Sequence, residues 1–155
     1  MADLLVKLYE LPAAELIGLG GAGPRIRRAM AYEKHGVVDW VRESFGRGWA
    51  SECDVAFANR PISCHVATEN GAVQGFACYD STGRGLFGPI GVAREARGRG
   101  IGRGLLLSCL HAMSAAGYAY AVVAGVEAAE FYQRTVGATE IPGSTPGIYR
   151  DRLAT

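Results

Sequence analysis

No apolar run in this 155-residue chain approaches the ~20 residues that a helix needs to span a bilayer, which sets aside a membrane partner. No Cys-x-x-Cys pair is present, and no histidine stands at zinc-finger spacing from Cys53, Cys64, Cys78 or Cys109. The four thiols therefore read as small buried hydrophobes in a reducing compartment, and no metal is expected. Neither sign of charge prevails: 16 Lys+Arg against 15 Asp+Glu leave a net charge of +1, too little for a nucleic-acid partner. The stretch from Met1 to Leu11 carries Asp3, Lys7 and Glu10 and lacks the basic start, apolar stretch and small-residue cleavage site of a secretory signal, so a cytoplasmic location is expected. There is no internal repeat, low-complexity segment or Pro/Ser linker, and residues 1–155 are expected to form one domain.

What the chain has in excess is glycine, 22 residues, about twice the ~7% of ordinary usage. Eight of these fall between Gly83 and Gly104, and four more in the cluster Gly18–Gly23. Around them the patterning predicts a first strand over Leu4–Leu11, then one or two helices from Pro24 to Phe45, with Pro24 at a helix start. Residues 46–61 read as a loop with a short strand. Asn70-Gly71 marks a tight hairpin between strands over Ser63–Thr68 and Val73–Tyr79. A strand over Leu86–Val92, a helix over Gly100–Ala116, an apolar strand over Tyr118–Val126 and a short helix over Ala128–Val136 follow, with one or two final strands in the tail from Thr139 to Leu153. The expected class is α/β (α+β): a mixed sheet of about six to seven strands, antiparallel at the front and parallel later, flanked by about four helices.

The chemistry concentrates in the loop between the strand ending near Val92 and the helix starting near Gly100. Its Arg94, Arg97, Arg99 and Arg103 face one acid, Glu95. Glycines at alternate positions let successive N–H groups turn toward one point, and the following helix aims its positive end there. Such a cradle suits a pyrophosphate, whose charge the arginines would neutralise. No Gly-Lys-Ser/Thr follows, so it is not a Walker loop.

Arg97-Gly98-Arg99-Gly100-Ile101-Gly102 resembles the [Gln/Arg]-x-x-Gly-x-[Gly/Ala] signature of the GCN5-related N-acetyltransferase (GNAT) superfamily. About 30 residues downstream, Ala128-Ala129-Glu130-Phe131-Tyr132 through Gly137-Ala138 resembles that family's second segment, Ala-x-x-Phe-Tyr-x-x-x-Gly-Phe. The likeness covers residues 63–141 and departs at Gly125, where the family often has Asn, and at Ala138, where it commonly has Phe. It implies a GNAT fold with splayed parallel strands that form an acetyl-CoA cleft, and an N-acetyltransferase using acetyl-CoA as cosubstrate and an amine-bearing acceptor. In that family the amine attacks the thioester directly, so no cysteine need be a nucleophile.

By the same resemblance, Arg97, Gly98, Arg99, Gly100, Ile101, Gly102 and Arg103 would hold the pyrophosphate. Ile90, Gly91 and Val92 would pair with the pantetheine arm, with an N–H near Ile90 facing the oxyanion. Tyr132 would protonate the leaving thiolate. The base is open among Asp80, Glu127, Glu52, Asp54 and a water relay. The acceptor side would come from residues 24–61, where Trp40 and Trp49 are candidate walls. A homodimer is left open. Two other functional readings are weighed: a CoA-binding sensor of the same fold without turnover, and a Rossmann-type nucleotide binder using the G-x-G-x-x-G match Gly18–Gly23.

Overall fold

The computed structural model describes residues 1–14 and 23–154. Its strands are β1 (Leu4–Lys7), β2 (Arg25–Arg28), β3 (Cys64–Glu69), β4 (Ala72–Tyr79), β5 (Leu86–Val92), β6 (Tyr120–Val123) and β7 (Thr139–Glu140). They form one sheet in the order β2-β3-β4-β5-β6-β1-β7, antiparallel throughout except between β5 and β6. The helices are α1 (Lys34–Phe45), α2 (Arg47–Ala58), α3 (Ile101–Ala115) and α4 (Ala129–Val136). The expected mixed sheet with four helices is the architecture observed.

Four local expectations are corrected. Pro24 begins an edge strand, not a helix: Arg25–Arg28 pair antiparallel with His65–Thr68 of β3, and cross-strand pairing overrides the local N1 preference of proline. Residues 46–61 are mostly helix. Ala50, Cys53, Ala56 and Phe57 recur at helical spacing and are buried, while Gly46 at φ +104° separates α2 from α1 without a loop. The apolar run Tyr118–Val126 contributes only Tyr120–Val123 to the ladder, because residues 124–126 leave the sheet beside a cleft. The first strand likewise stops at Lys7, and Leu8–Glu10 turn as a 3-10 helix.

The hairpin forms where Asn70-Gly71 predicted it, with φ +52° and +75° as a type I′ turn requires. Its period-2 alternation sorts residues to two cores. Cys64, Val66, Phe76 and Cys78 pack with Val37, Val38 and Val41 of α1 and with Cys53 and Phe57 of α2. Ala67, Ala77 and Tyr79 point to the other face and pack with α3. On α3, Ile101, Leu105, Cys109 and Met113 recur on one face and are buried, and so are Leu106, Leu107 and Leu110, so the helix is embedded around most of its circumference. At ~1.5–3 kcal/mol for each buried large aliphatic side chain, α3 anchors the loop that precedes it.

Candidate functional site

β5 and β6 pair only at Leu86↔Val122 and Phe87↔Val123. Beyond that point Gly88, at φ +124°, and Pro89, which has no N–H, interrupt β5, and the register against β4 shifts between Ala77 and Tyr79. The rest of β5 stays paired with β4 alone. Ala93 donates its N–H to Gln74 O at 2.8 Å, so the antiparallel alternation turns Gly91 and Ala93 toward β4. The N–H and C=O groups of Ile90 and Val92 then face the gap. Gly91 serves packing: a Cβ there would lie 2.5 Å from Phe45 Cζ, so only bare backbone passes under that ring.

The gap opens into a cleft of about 740 Å³ whose walls include Ile90, Phe131, Tyr132, Trp49, Glu52 and Tyr149. At the end of β5, Arg94–Ala96 make a 3-10 turn and the loop reaches α3 through Gly98 (φ +83°) and Gly100 (φ +80°). Nothing lies within 4 Å of a Cβ built at either glycine, so their requirement is conformational: an L-residue in that region costs ~1–2 kcal/mol. Gly100 is the N-cap of α3 and leaves the first N–H groups of a 15-residue helix without a side-chain cap. Arg97 Nε donates to Val92 O at 3.3 Å, which ties the loop to the strand. Arg99 forks onto Glu69 at 2.9 and 2.8 Å, an anchor to β3 that competes with any anionic ligand for its charge. Ile101 is buried, and a Cβ at Gly102 would stand in ordinary contact with Val92 and Phe131, 3.8 and 3.9 Å away. Arg103 lies in the first turn of α3.

Tyr132 is 7% exposed, packed edge-to-face on Phe131 and Phe87, and borders the cleft. Burial pushes its phenol up to about 12, so the group keeps its proton at neutral pH.

The candidate bases separate. Asp80 accepts from Gly85 N at 2.8 Å and Tyr118 OH at 3.0 Å, a turn-holding role, and Asp54 pairs with Lys34 at 2.9 Å. Neither borders the cleft. Glu52 and Glu127 do, and Glu52 accepts from Thr82 Oγ1 at 2.6 Å. His65 shares a 2.6 Å contact with Ser108 Oγ on the α3 face, and burial, with Arg28 nearby, holds its ring down to about 4. Trp49 faces the cleft, while Trp40 packs against Phe45 and Phe76 in the core. The G-x-G-x-x-G match lies outside the described residues except at Gly23, and the strand β2 that follows Pro24 is not the helix a dinucleotide fingerprint needs.

The acetyltransferase (GNAT) family profile matches residues 34–138. The chain belongs to that family. No curated protein sequence matches it significantly, but solved GNAT structures share its fold. A glucosamine N-acetyltransferase region of a fungal multi-domain GH3 β-N-acetylglucosaminidase is 22% identical with a TM-score of 0.72, over 90% of this chain and 19% of that one. A GNAT protein of Sphaerobacter thermophilus is 20% identical with a TM-score of 0.66 (90% and 48% covered), and one of Colwellia psychrerythraea is 16% identical with a TM-score of 0.61 (90% and 52% covered). The chain spans about half or less of the length of these proteins.

The family departure at Gly125 has a structural cause. Gly125 sits at φ +60°, donates its N–H to Asp3 Oδ1 at 2.8 Å, and would place a Cβ 2.7 Å from Tyr149 Cε2. The tail occupies the space a side chain would fill. Asp3 also holds the tail through its own N–H, which donates to Ser144 Oγ at 2.8 Å, and the Arg152 guanidinium lies 5.4 Å from the Tyr149 ring centroid. Sequence reading missed Asp3, Thr82 and Tyr149, because none belongs to a motif and each acquires its place only by long-range contact. Among the described residues no helix is long and apolar enough to cross a membrane.

The expectation of no metal is corrected by the packing of α2 on the hairpin. Cys53, Cys64 and Cys78 place their sulfurs within 4.8 Å of one another, a buried arrangement able to hold a metal ion. The spacing rules failed because the three come from a helix and two strands. Hydrogen bonds from Cys64 and Cys78 lower the pKa of Cys53, while the bond with Cys53 raises that of Cys64 and burial raises that of Cys78.

Proposed function

We propose that the chain transfers an acetyl group from acetyl-CoA to an amine by direct attack in a ternary complex. The observation that carries this reading is the edge of β5 left unpaired by β6 beyond Phe87: the backbone groups of Ile90 and Val92 face the gap, Ile90 and Tyr132 border the cleft, and the chain runs on from β5 to the Gly98–Gly100 turn at the start of α3. The pyrophosphate binds the N–H groups at the start of α3, with Arg97 and Arg103 adding positive charge. The pantetheine arm then lies along β5 as an added strand, as an extended ligand does on an exposed sheet edge. The Ile90 N–H stabilises the oxyanion.

Tyr132 acts on the leaving sulfur. Moving its proton from a phenol at about 12 to a thiolate whose ordinary pKa is ~8.5 is uphill by about 5 kcal/mol, so it works chiefly as a hydrogen-bond donor to the developing thiolate. The acceptor enters from the other end, between Trp49, Glu52, Thr82, Glu127 and Tyr149. Two carboxylates against one guanidinium, Arg152, border that end, a balance that favours a cationic amine and gives it a proton acceptor in Glu52 or Glu127. The test is a panel of mono- and diamines, amino sugars and peptides with acetyl-CoA, followed by thiol release. Turnover on a cationic amine supports the reading; heat stabilisation by acetyl-CoA with no turnover on any acceptor favours a CoA-binding sensor.

A further inference from the structure

The three-sulfur cluster lies outside the cleft and is used by no step of the proposed reaction. Cys53 of α2 faces Cys64 and Cys78, which are direct cross-strand partners on β3 and β4. Tyr79 N donates to Ser63 O beside them, so Cys64 and Cys78 form a non-hydrogen-bonded pair, the kind whose side chains stand closest. The Cys53 and Cys64 sulfurs are 4.0 Å apart, and all three lie within 4.8 Å. Three sulfurs around one ion with bonds of ~2.3 Å in a plane would stand ~4.0 Å apart.

The surroundings select the ion. The cysteines share one apolar core with Ala50, Val41, Ala56, Phe57, Val66 and Phe76, and His65, next in sequence to Cys64, points to the opposite face of the sheet toward Ser108. Among the described residues no further His, Cys, Asp or Glu side chain joins the group, and the oxygen beside it, the His65 backbone carbonyl, is 3.8 Å from Cys64 Sγ, whereas structural zinc takes four ligands, nearly always side chains. A buried apolar site also penalises net charge. A divalent ion needs two sulfurs deprotonated to be neutralised; a monovalent one needs a single sulfur deprotonated, with one proton released to solvent. Soft sulfur donors, threefold coordination and low charge coincide in one class of ion.

We infer that Cys53, Cys64 and Cys78 form a binding site for a soft monovalent ion, Cu(I), held by three sulfurs between α2 and the β3–β4 hairpin. The ion cross-links the helix that carries Trp49 and Glu52 to the sheet. Because all three cysteines are fully buried, entry requires α2 to lift, and loading is tested both on the native protein and during refolding.

The experiment adds Cu(I) anaerobically to the reduced protein and follows bound copper by elemental analysis, the ultraviolet sulfur-to-copper charge-transfer band and thermal unfolding. The expected result is one copper per chain, a rise of several degrees in Tm and copper K-edge X-ray absorption fitted by three sulfurs. Cys53→Ala loses the ion, while Cys109→Ala, a buried cysteine outside the cluster, keeps it. Absence of bound copper by either route, retention by Cys53→Ala, or a coordination shell containing nitrogen, oxygen or only two sulfurs overturns the site. So does a two-dalton mass loss from a Cys64–Cys78 disulfide in place of copper uptake. The absorption measurement on the unaltered protein decides the matter even if the Cys53 variant fails to fold.

Discussion

The two ends of the cleft are built in different ways. The end proposed for the coenzyme is made of backbone: it runs from Gly88–Ile90, which line the cleft, along the edge of β5 to the start of α3, with Gly88, Gly98 and Gly100 at positive φ, all within residues 88–104. The opposite end is made of side chains from separate segments, with Trp49 and Glu52 on α2, Thr82 after β4, and Tyr149 and Arg152 in the tail. Backbone geometry can bind one constant ligand through a short stretch of chain. A side-chain wall assembled from remote segments can change its occupant without disturbing the cradle.

The division can be broken from either side. Gly100→Asp puts a carboxylate at the α3 N-terminus in a left-handed conformation and should weaken acetyl-CoA binding by about 100-fold or more, ~3 kcal/mol, measured by calorimetry with the fold checked by circular dichroism. Unchanged affinity would remove the pyrophosphate from this loop.

Tyr132→Phe takes away a donor to developing negative charge and should lower kcat about 100-fold with KM for acetyl-CoA nearly constant. An equal loss in both would make Tyr132 a binding or packing residue. Since burial raises the phenol to about 12, ionisation of Tyr132 should not cut activity below about pH 10, and a rate that falls between pH 7 and 9 in the native enzyme but not in Tyr132→Phe would contradict that assignment.

At the other end, Glu52→Gln should lower kcat/KM for the acceptor about tenfold and leave the coenzyme's KM alone, with Glu127 carrying part of the duty. A change in coenzyme binding instead would blur the two ends.

The smallest effect concerns the tail. Asn tolerates the φ of +60° at position 125, so Gly125→Asn isolates the collision with Tyr149 and should cost about 1–2 kcal/mol of stability, recovered in large part by adding Tyr149→Ala. Additive losses in the double variant would show that the two residues do not compete for the same space.

The same division explains what could be read from sequence. The hairpin, α3 and the cradle follow from local rules, because Asn70-Gly71, Gly98 and Gly100 take up positive φ by their own chemistry. β2 does not show in local pattern because its pairing with β3 lies about 40 residues away, and α2 is masked because Gly46 and Gly48 hide the buried spacing of Ala50, Cys53 and Phe57. Asp3, which accepts from Gly125 across 122 positions, carries no local signal at all. The three-cysteine cluster escaped for the same reason: ligand spacing in sequence is informative only when one loop supplies the ligands.

The most direct test is amide hydrogen exchange with and without acetyl-CoA. Coenzyme binding along β5 and the cradle should bring new protection at Ile90, Val92 and across Gly98–Gly104, with little change over residues 47–58 and 145–153. Protection confined to those last two segments, or none at 90–104, would contradict it.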